Sequence, residues 1–89
     1  MMEKLDFSLS YYLPDKRWFH YYDINAIGDN QYIIKLVVKK NFNFNDFQEV
    51  LFKINCEVET VLNWKFLGYK NLVEIKFRVW KEEQEDYWL

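Results

Sequence analysis

The sequence contains few of the residues on which small catalytic, metal and phosphate sites depend. Among 89 residues there are one cysteine, one histidine, one proline and two glycines. The single cysteine, Cys56, excludes an internal disulfide framework and favours a reducing compartment. Two isolated glycines, Gly28 and Gly68, cannot form the glycine-rich loop that binds a phosphate group.

The shortage of nucleophiles and ligands argues against catalysis. Nucleophilic catalysis needs a nucleophile, a base and an orienting group close together. His20 lies in an aromatic segment and is predicted to be a structural histidine. Cys56 follows the predicted helix, so it lacks the N-terminal helix dipole that activates a thiolate. Zinc sites usually use several Cys and His residues. We therefore expect that the chain is not an enzyme and binds no metal or cofactor.

Long apolar runs are also missing. No segment approaches the roughly 20 apolar residues of a membrane-spanning helix. The N-terminal residues include the charged Glu3, Lys4 and Asp6 and do not resemble a signal peptide. These features predict a cytoplasmic protein.

Aromatic residues, in contrast, are abundant. They make up 21% of the chain, as four Trp, seven Tyr and eight Phe. A domain of this length buries only about 60–65% of the surface that its unfolded chain exposes. Some rings are therefore expected at the surface or in an interface. The net charge of −2 gives no strong field that would attract nucleic acid.

The first part of the chain is predicted to form three antiparallel strands. Lys4–Leu13 alternates apolar and polar residues, as a half-buried strand does. Arg17–Ile27 is rich in aromatic and β-branched residues, which favour strands. Gln31–Lys40 is the most hydrophobic run. Because the connections at 14–17 and 28–30 are short, the three strands should form a meander.

The middle of the chain is predicted to form one helix. Between Asn41 and Glu57, apolar residues recur at helical spacing. Asn43 is a suitable N-cap, with Phe42 and Phe47 at the positions of a hydrophobic staple. The predicted buried stripe consists of Phe44, Phe47, Val50, Leu51 and Ile54.

Two further strands are predicted to form a hairpin, Val58–Leu67 and Leu72–Trp80. In its first strand the expected core residues are Val58, Thr60, Leu62, Trp64 and Phe66. The complete prediction is a two-layer α+β domain, residues 1–80. It has an antiparallel sheet of about five strands, one helix on one face and the order βββ-α-ββ. Residues 81–89 are interpreted as an acidic tail with an aromatic end.

The strand Gln31–Lys40 has apolar residues on both faces, which is typical of a central strand. Tyr32, Ile34, Leu36 and Val38 are assigned to the face under the helix. The other face of the sheet would carry a patch that could bind a partner. The predicted partner-binding residues are Phe19, Tyr21, Ile33, Lys35, Val37 and Trp80.

Such a patch is typical of a protein-binding domain. The partner could be another protein or a second copy, as a homodimer. Plentiful residues with A/T-rich codons suggest a phage- or mobile-element-encoded inhibitor of a host or defence protein, or an immunity-type protein. Two alternatives remain open. Tyr87, Trp88 and Leu89 could fold back over the patch, or the same aromatics with Lys35 and Lys39 could bind single-stranded nucleic acid.

Overall fold

The computed structural model describes residues 2–68 and 71–82, with side chains from Leu5 onwards. Within these residues there are two helices, each followed by two strands. They are α1 (Met2–Tyr12), followed by a short 3₁₀ turn (Leu13–Asp15), β1 (Phe19–Gly28), β2 (Gln31–Lys39), α2 (Phe44–Lys53), β3 (Cys56–Phe66) and β4 (Leu72–Lys81).

The four strands form one antiparallel sheet in the order β1-β2-β4-β3. Both helices pack on the same face, because their buried residues join the same strand residues in one core. The predicted two-layer α+β class is therefore confirmed. The detail differs: there are four strands and two helices, and the order is αββαββ. The predicted acidic tail from Glu83 onwards lies outside the described residues.

The N-terminal segment is a helix, so the strand predicted over Lys4–Leu13 is wrong. Leu5, Leu9 and Leu13 are spaced by four and are at most 1% exposed. The apolar residues between them, Phe7 and Tyr11, are mostly exposed. Apolar residues at every second position also satisfy the i, i+4, i+8 spacing of a helix face. In the helix and the 3₁₀ turn that follows it, the three leucines share one face and enter the core.

The predicted helix, α2, is confirmed together with its capping. The side chain of Asn43 accepts a hydrogen bond from the backbone N–H of Asp46 at 3.2 Å. The rings of Phe42 and Phe47 lie 6.2 Å apart, as a hydrophobic staple requires. The helix ends before Asn55, which has the positive φ of 61° that asparagine tolerates.

The two faces of β2 are assigned as the sequence predicted. Tyr32, Ile34, Leu36 and Val38 face the helices and are at most 4% exposed. β2 lies between β1 and β4, so it is a central strand. Among the described residues, neither helix is long and apolar enough to cross a membrane.

Candidate functional site

The sheet face opposite the helices, called the outer face here, carries five of the six predicted partner-binding residues. Tyr21 of β1 lies directly opposite Val37 of β2. Lys35 and Ile33 follow Val37 on the same side of β2, because side chains alternate along a strand. Trp80 of β4 lies opposite Gln31, at the end of this row. The structure thus places these five residues along one continuous strip.

Phe19 is not part of this strip, and its predicted position on the outer face is wrong. Phe19 is paired with Val38 and Tyr21 with Val37, so two residues of β1 correspond to one residue of β2. This β-bulge turns Phe19 to the helix side, where it packs against the core. Its ring lies 6.2 Å from that of Tyr22. Strict alternation could not predict a bulge.

The outer face is strongly charged around its apolar residues. Val37 is buried, with Tyr21 and Glu74 opposite it on the neighbouring strands. Lys35 and Lys76 lie directly opposite each other, and Lys35 also lies opposite Asp23 on its other side. The face is therefore a mixed polar surface, and its apolar part is smaller than the sequence predicted.

A second surface, on β3, is more apolar. Four of its large apolar residues are exposed by 41–65%, and we call them the β3 patch: Val61, Leu62, Trp64 and Phe66. Leu62, Trp64 and Phe66 were expected in the core. Thr60 was also expected there, but it pairs with Arg78 on the outer face. Register irregularities between Val58 and Thr60, and between Val61 and Asn63, break the alternation on which that prediction depended.

The exposure of the β3 patch follows from the position of α2. The helix covers the beginning of β3, where Cys56 is buried and Val58 is half-buried. Further along, Trp64 lies opposite Ile75 and Phe66 opposite Val73, on the helix-bearing side of the sheet. These rings are nevertheless 65% and 53% exposed. Val61, Trp64 and Phe66 of the patch therefore lie on the part of this face that extends beyond the helices.

A groove lies between α2 and the beginning of β3, next to the patch. Its volume is about 610 Å³. Phe52, the most exposed large apolar residue of the described chain, forms part of its wall with 81% of its surface accessible. The lining residues are Asn45, Gln48, Glu49, Leu51, Phe52, Cys56, Glu57 and Val58.

Two contacts fix the surroundings of the patch. The ammonium group of Lys40 lies 5.4 Å from the centre of the Phe66 ring, in a cation–π arrangement. Phe44, at the start of α2, stacks on Phe77 with 5.9 Å between ring centres. Phe44 is 37% exposed, although the sequence predicted it in the buried stripe. The helix start thus adds a further aromatic ring to the surface.

Two titratable groups among the described residues have a clearly shifted pKa, Cys56 and Tyr22. Burial raises the pKa of the Cys56 thiol to about 11, against a smaller opposing effect of Lys81. Burial also raises the pKa of Tyr22, whose hydroxyl donates a hydrogen bond to the Asp6 carboxylate. His20 is exposed on β1. In residues 2–68 and 71–82, no cluster of three or more His, Cys, Asp or Glu side chains could hold a metal ion.

The β3 patch was missed because sequence reasoning placed its residues in the core. One signal could have revealed it. Val61 and Leu62 are adjacent apolar residues in a strand that otherwise alternates. Such a pair indicates either burial on both sides or a bulge at an edge, and the second applies here.

No protein-family model matches the chain, and comparison with curated proteins finds no similar sequence.

Proposed function

We propose that the chain is a small, non-enzymatic protein-binding domain that binds through the β3 patch. The observation that carries the proposal is that an edge strand of the sheet exposes large apolar residues. β3 is an edge strand of eleven residues, and Val61, Leu62, Trp64 and Phe66 are exposed along it. Natural edge strands are usually short, charged or covered, because an exposed apolar edge pairs readily with other chains.

The composition of the patch supports binding to a polypeptide. Tryptophan and other aromatic residues are the usual anchors of protein interfaces, since they bury a large area with few rotatable bonds. The open edge of β3 also presents backbone groups that a strand of the partner could pair with. Trp64 is the expected anchor because it is the most exposed residue of the patch. The narrower expectation, a mobile-element inhibitor of a host or defence protein, stays a prediction from composition.

The proposal is tested by chemical cross-linking in cells that express the tagged chain. A second copy with a different tag is expressed in the same cells, so that binding of the chain to itself is also detected. The unmodified chain should yield a defined cross-linked species. The double variant Trp64→Thr/Phe66→Thr should lose it, because threonine keeps strand propensity but removes the rings.

The matched control is Phe7→Ala/Tyr11→Ala on α1, whose rings are 72% and 69% exposed. This control should retain the same species. A species that survives in the Trp64/Phe66 variant, or disappears equally in the α1 variant, would contradict binding through β3.

Single-stranded nucleic-acid binding at the outer face is a second candidate, and one observation favours it. Three cations lie close together on this face, since Lys76 and Arg78 of β4 lie opposite Lys35 and Ile33 of β2. Tyr21 and Trp80 on the same face could stack on bases.

This candidate is tested by fluorescence anisotropy of a labelled single-stranded oligonucleotide at increasing salt. Binding that weakens with salt and is lost in Lys35→Ala/Lys76→Ala supports it. The control Lys16→Ala/Lys53→Ala removes the same charge away from the outer face and should bind as the unmodified chain does. Absence of binding at low salt would exclude it.

A further inference from the structure

We propose that the partner of β3 is a second copy of this chain. The two β3 strands pair antiparallel about a two-fold axis at Val61, and the two four-stranded sheets become one sheet of eight strands. This inference rests on the proposed function, and it names the partner and the register. Three independent features of β3 support it: the order of its faces, its charges and the adjacent groove.

Three to five residues away from Val61, the order of faces along β3 is the same in both directions. Val61 faces the helix side, because it pairs with the core residue Phe77. Three residues before it is Val58 and three residues after it is Trp64, and both lie on that side too. Cys56 and Phe66 continue the pattern on the helix side, as Glu57 and Lys65 do on the outer face. In the three pairs farther from the axis, Val58 with Trp64, Glu57 with Lys65 and Cys56 with Phe66, the two residues therefore share a face, as antiparallel pairing requires.

The charges on the outer face of β3 are complementary in this register. Glu57 and Lys65 stand four residues before and four residues after Val61. The two-fold axis places Glu57 of each copy opposite Lys65 of the other, so that each dimer contains two pairs of opposite charge. Opposite charges directly across a strand pair stabilise it, and like charges destabilise it.

Neighbouring registers lose these properties. A shift of one residue would place Glu57 opposite Trp64, which lies on the other face. A shift of two residues in one direction would place Glu57 opposite Asn63. In the other direction it would place Glu59 opposite Lys65, but also Thr60 of the outer face opposite Trp64 of the helix side. The combination of matched faces and matched charges thus selects the register centred on Val61.

The same register brings the exposed rings to the groove. Trp64 of the second copy comes opposite Val58, and Phe66 comes opposite Cys56. Val58 and Cys56 line the groove of about 610 Å³ beside α2, together with the exposed Phe52. Rings that α2 of their own chain does not cover are therefore placed beside α2 of the other copy.

The charges at the groove are also complementary to those that accompany the Phe66 ring. Lys40 lies over the Phe66 ring and accompanies it to the second copy. The groove that receives the ring is lined by one carboxylate of α2, that of Glu49. The ammonium group of Lys40 thus arrives with the Phe66 ring at an acidic site, and this attraction favours the proposed pairing of the two copies.

The proposal is tested by sedimentation equilibrium of the full chain from micromolar to millimolar concentration. The unmodified chain should be a dimer. Glu57→Lys and Lys65→Glu should each raise the dimer dissociation constant by about tenfold or more, because each homodimer then contains two like-charged pairs. An equimolar mixture of these two variants should form a dimer again, since every cross-strand pair in the heterodimer is then of opposite charge.

The control Asp29→Lys changes the net charge as Glu57→Lys does, but in the turn between β1 and β2. It should leave the dissociation constant unchanged. Because Lys65→Glu also places a second carboxylate opposite Glu74 within its own chain, circular dichroism should confirm that this variant is folded.

A second measurement does not depend on charge. Val61→Cys should be cross-linked between copies by a short bis-maleimide, because each Val61 lies opposite its own equivalent. Ile27→Cys on β1, which is also exposed, should give no such dimer.

An unmodified chain that stays monomeric at millimolar concentration and is not cross-linked through position 61 overturns the second copy as partner. The Trp64/Phe66 cross-linking experiment would still decide whether β3 binds a different protein. A dimer that all charge variants form equally overturns the register.

Discussion

The two edge strands of the sheet, β1 and β3, differ in how their residues are covered and in which residues they expose. β1 is accompanied by α1, whose residue Asp6 accepts a hydrogen bond from the hydroxyl of Tyr22. Around its buried Ile24, β1 exposes polar residues such as Asp23 and Asn25, with Tyr21 and Ile27 as its exposed large apolar residues. β3 is covered by α2 only at its beginning and exposes Trp64 and Phe66.

This difference shows that a position at the edge does not by itself make a binding surface. Within residues 2–68 and 71–82, each of these strands has one edge that pairs with no other strand, and both contain register irregularities. They differ in the residues that the edge presents. Exposed polar residues form hydrogen bonds with water. Exposed rings, in contrast, lower the free energy when they are buried in an interface. The following predictions test the two sides of this comparison.

The largest effect is expected in the helix that covers β1. Leu9→Ala should lower the free energy of unfolding by about 2–5 kcal/mol, because Leu9 is fully buried. Phe7→Ala, two residues away and mostly exposed, should change it by less than about 0.5 kcal/mol. Urea unfolding measures both. Similar losses in the two variants would indicate that the segment is a strand with both residues on one face.

A smaller effect is expected for the contact between β1 and α1. Tyr22→Phe removes the hydrogen bond to the Asp6 carboxylate and should cost about 1.5 kcal/mol. The pKa of Tyr22 is raised above its ordinary value of 10.0, chiefly by burial. A raised pKa means that the neutral hydroxyl stabilises the fold fully below pH 10.0, and that this contribution is lost as the pH rises further.

The control for this contact is the pH dependence itself. Stability of the unmodified chain should fall above pH 10.0, and the fall should be shallower in Tyr22→Phe. Identical slopes in thermal unfolding at several pH values would show that the contact is absent in solution.

The helix that covers the start of β3 should respond to loss of its cap. Asn43→Ala removes the acceptor for the Asp46 N–H and should cost about 1 kcal/mol. Asn45→Ala, inside the first turn and exposed, should change stability by less than about 0.5 kcal/mol. Equal effects of the two substitutions in urea unfolding would mean that Asn43 is not the cap.

The smallest effect is expected on the β3 patch. Trp64→Thr should change the free energy of unfolding of the monomer by less than about 0.5 kcal/mol, because the ring is 65% exposed. The measurement must be made at a concentration at which the chain is monomeric. At higher concentration the variant should lose stability relative to the unmodified chain, because dimerisation stabilises the folded state by mass action. A loss of several kcal/mol at low concentration would show that Trp64 is covered within its own chain.

Local signals explain which parts of the fold could be predicted. The helix α2 was predicted correctly because its cap, staple and apolar stripe all lie within one segment and agree with each other. The faces of β2 were predicted correctly because four apolar residues at alternate positions leave one consistent assignment. Asn30 and Asn55 terminate their elements at positive φ, which is a property of the residue type.

Where the apolar residues fit both the period of a strand and that of a helix, the sequence alone could not distinguish the two. The residues Leu5, Leu9 and Leu13 are spaced for a helix, and the addition of Phe7 and Tyr11 makes the same segment fit a strand. Five of the six predicted site residues were placed together, and the exception, Phe19, was displaced by a single bulge. A bulge depends on the neighbouring strand and has no local signal here.

By itself, the sequence determined the α+β class, the capped helix and the central strand with its two faces, because each depends on residues close together in the chain. Tertiary structure decided the rest. The choice of helix for residues 2–12, the order of the strands and the exposure of Trp64 all depend on what lies across the sheet. β3 alternates like a covered strand, but α2 is too short to cover it, so only the packed fold shows which rings remain available to a partner.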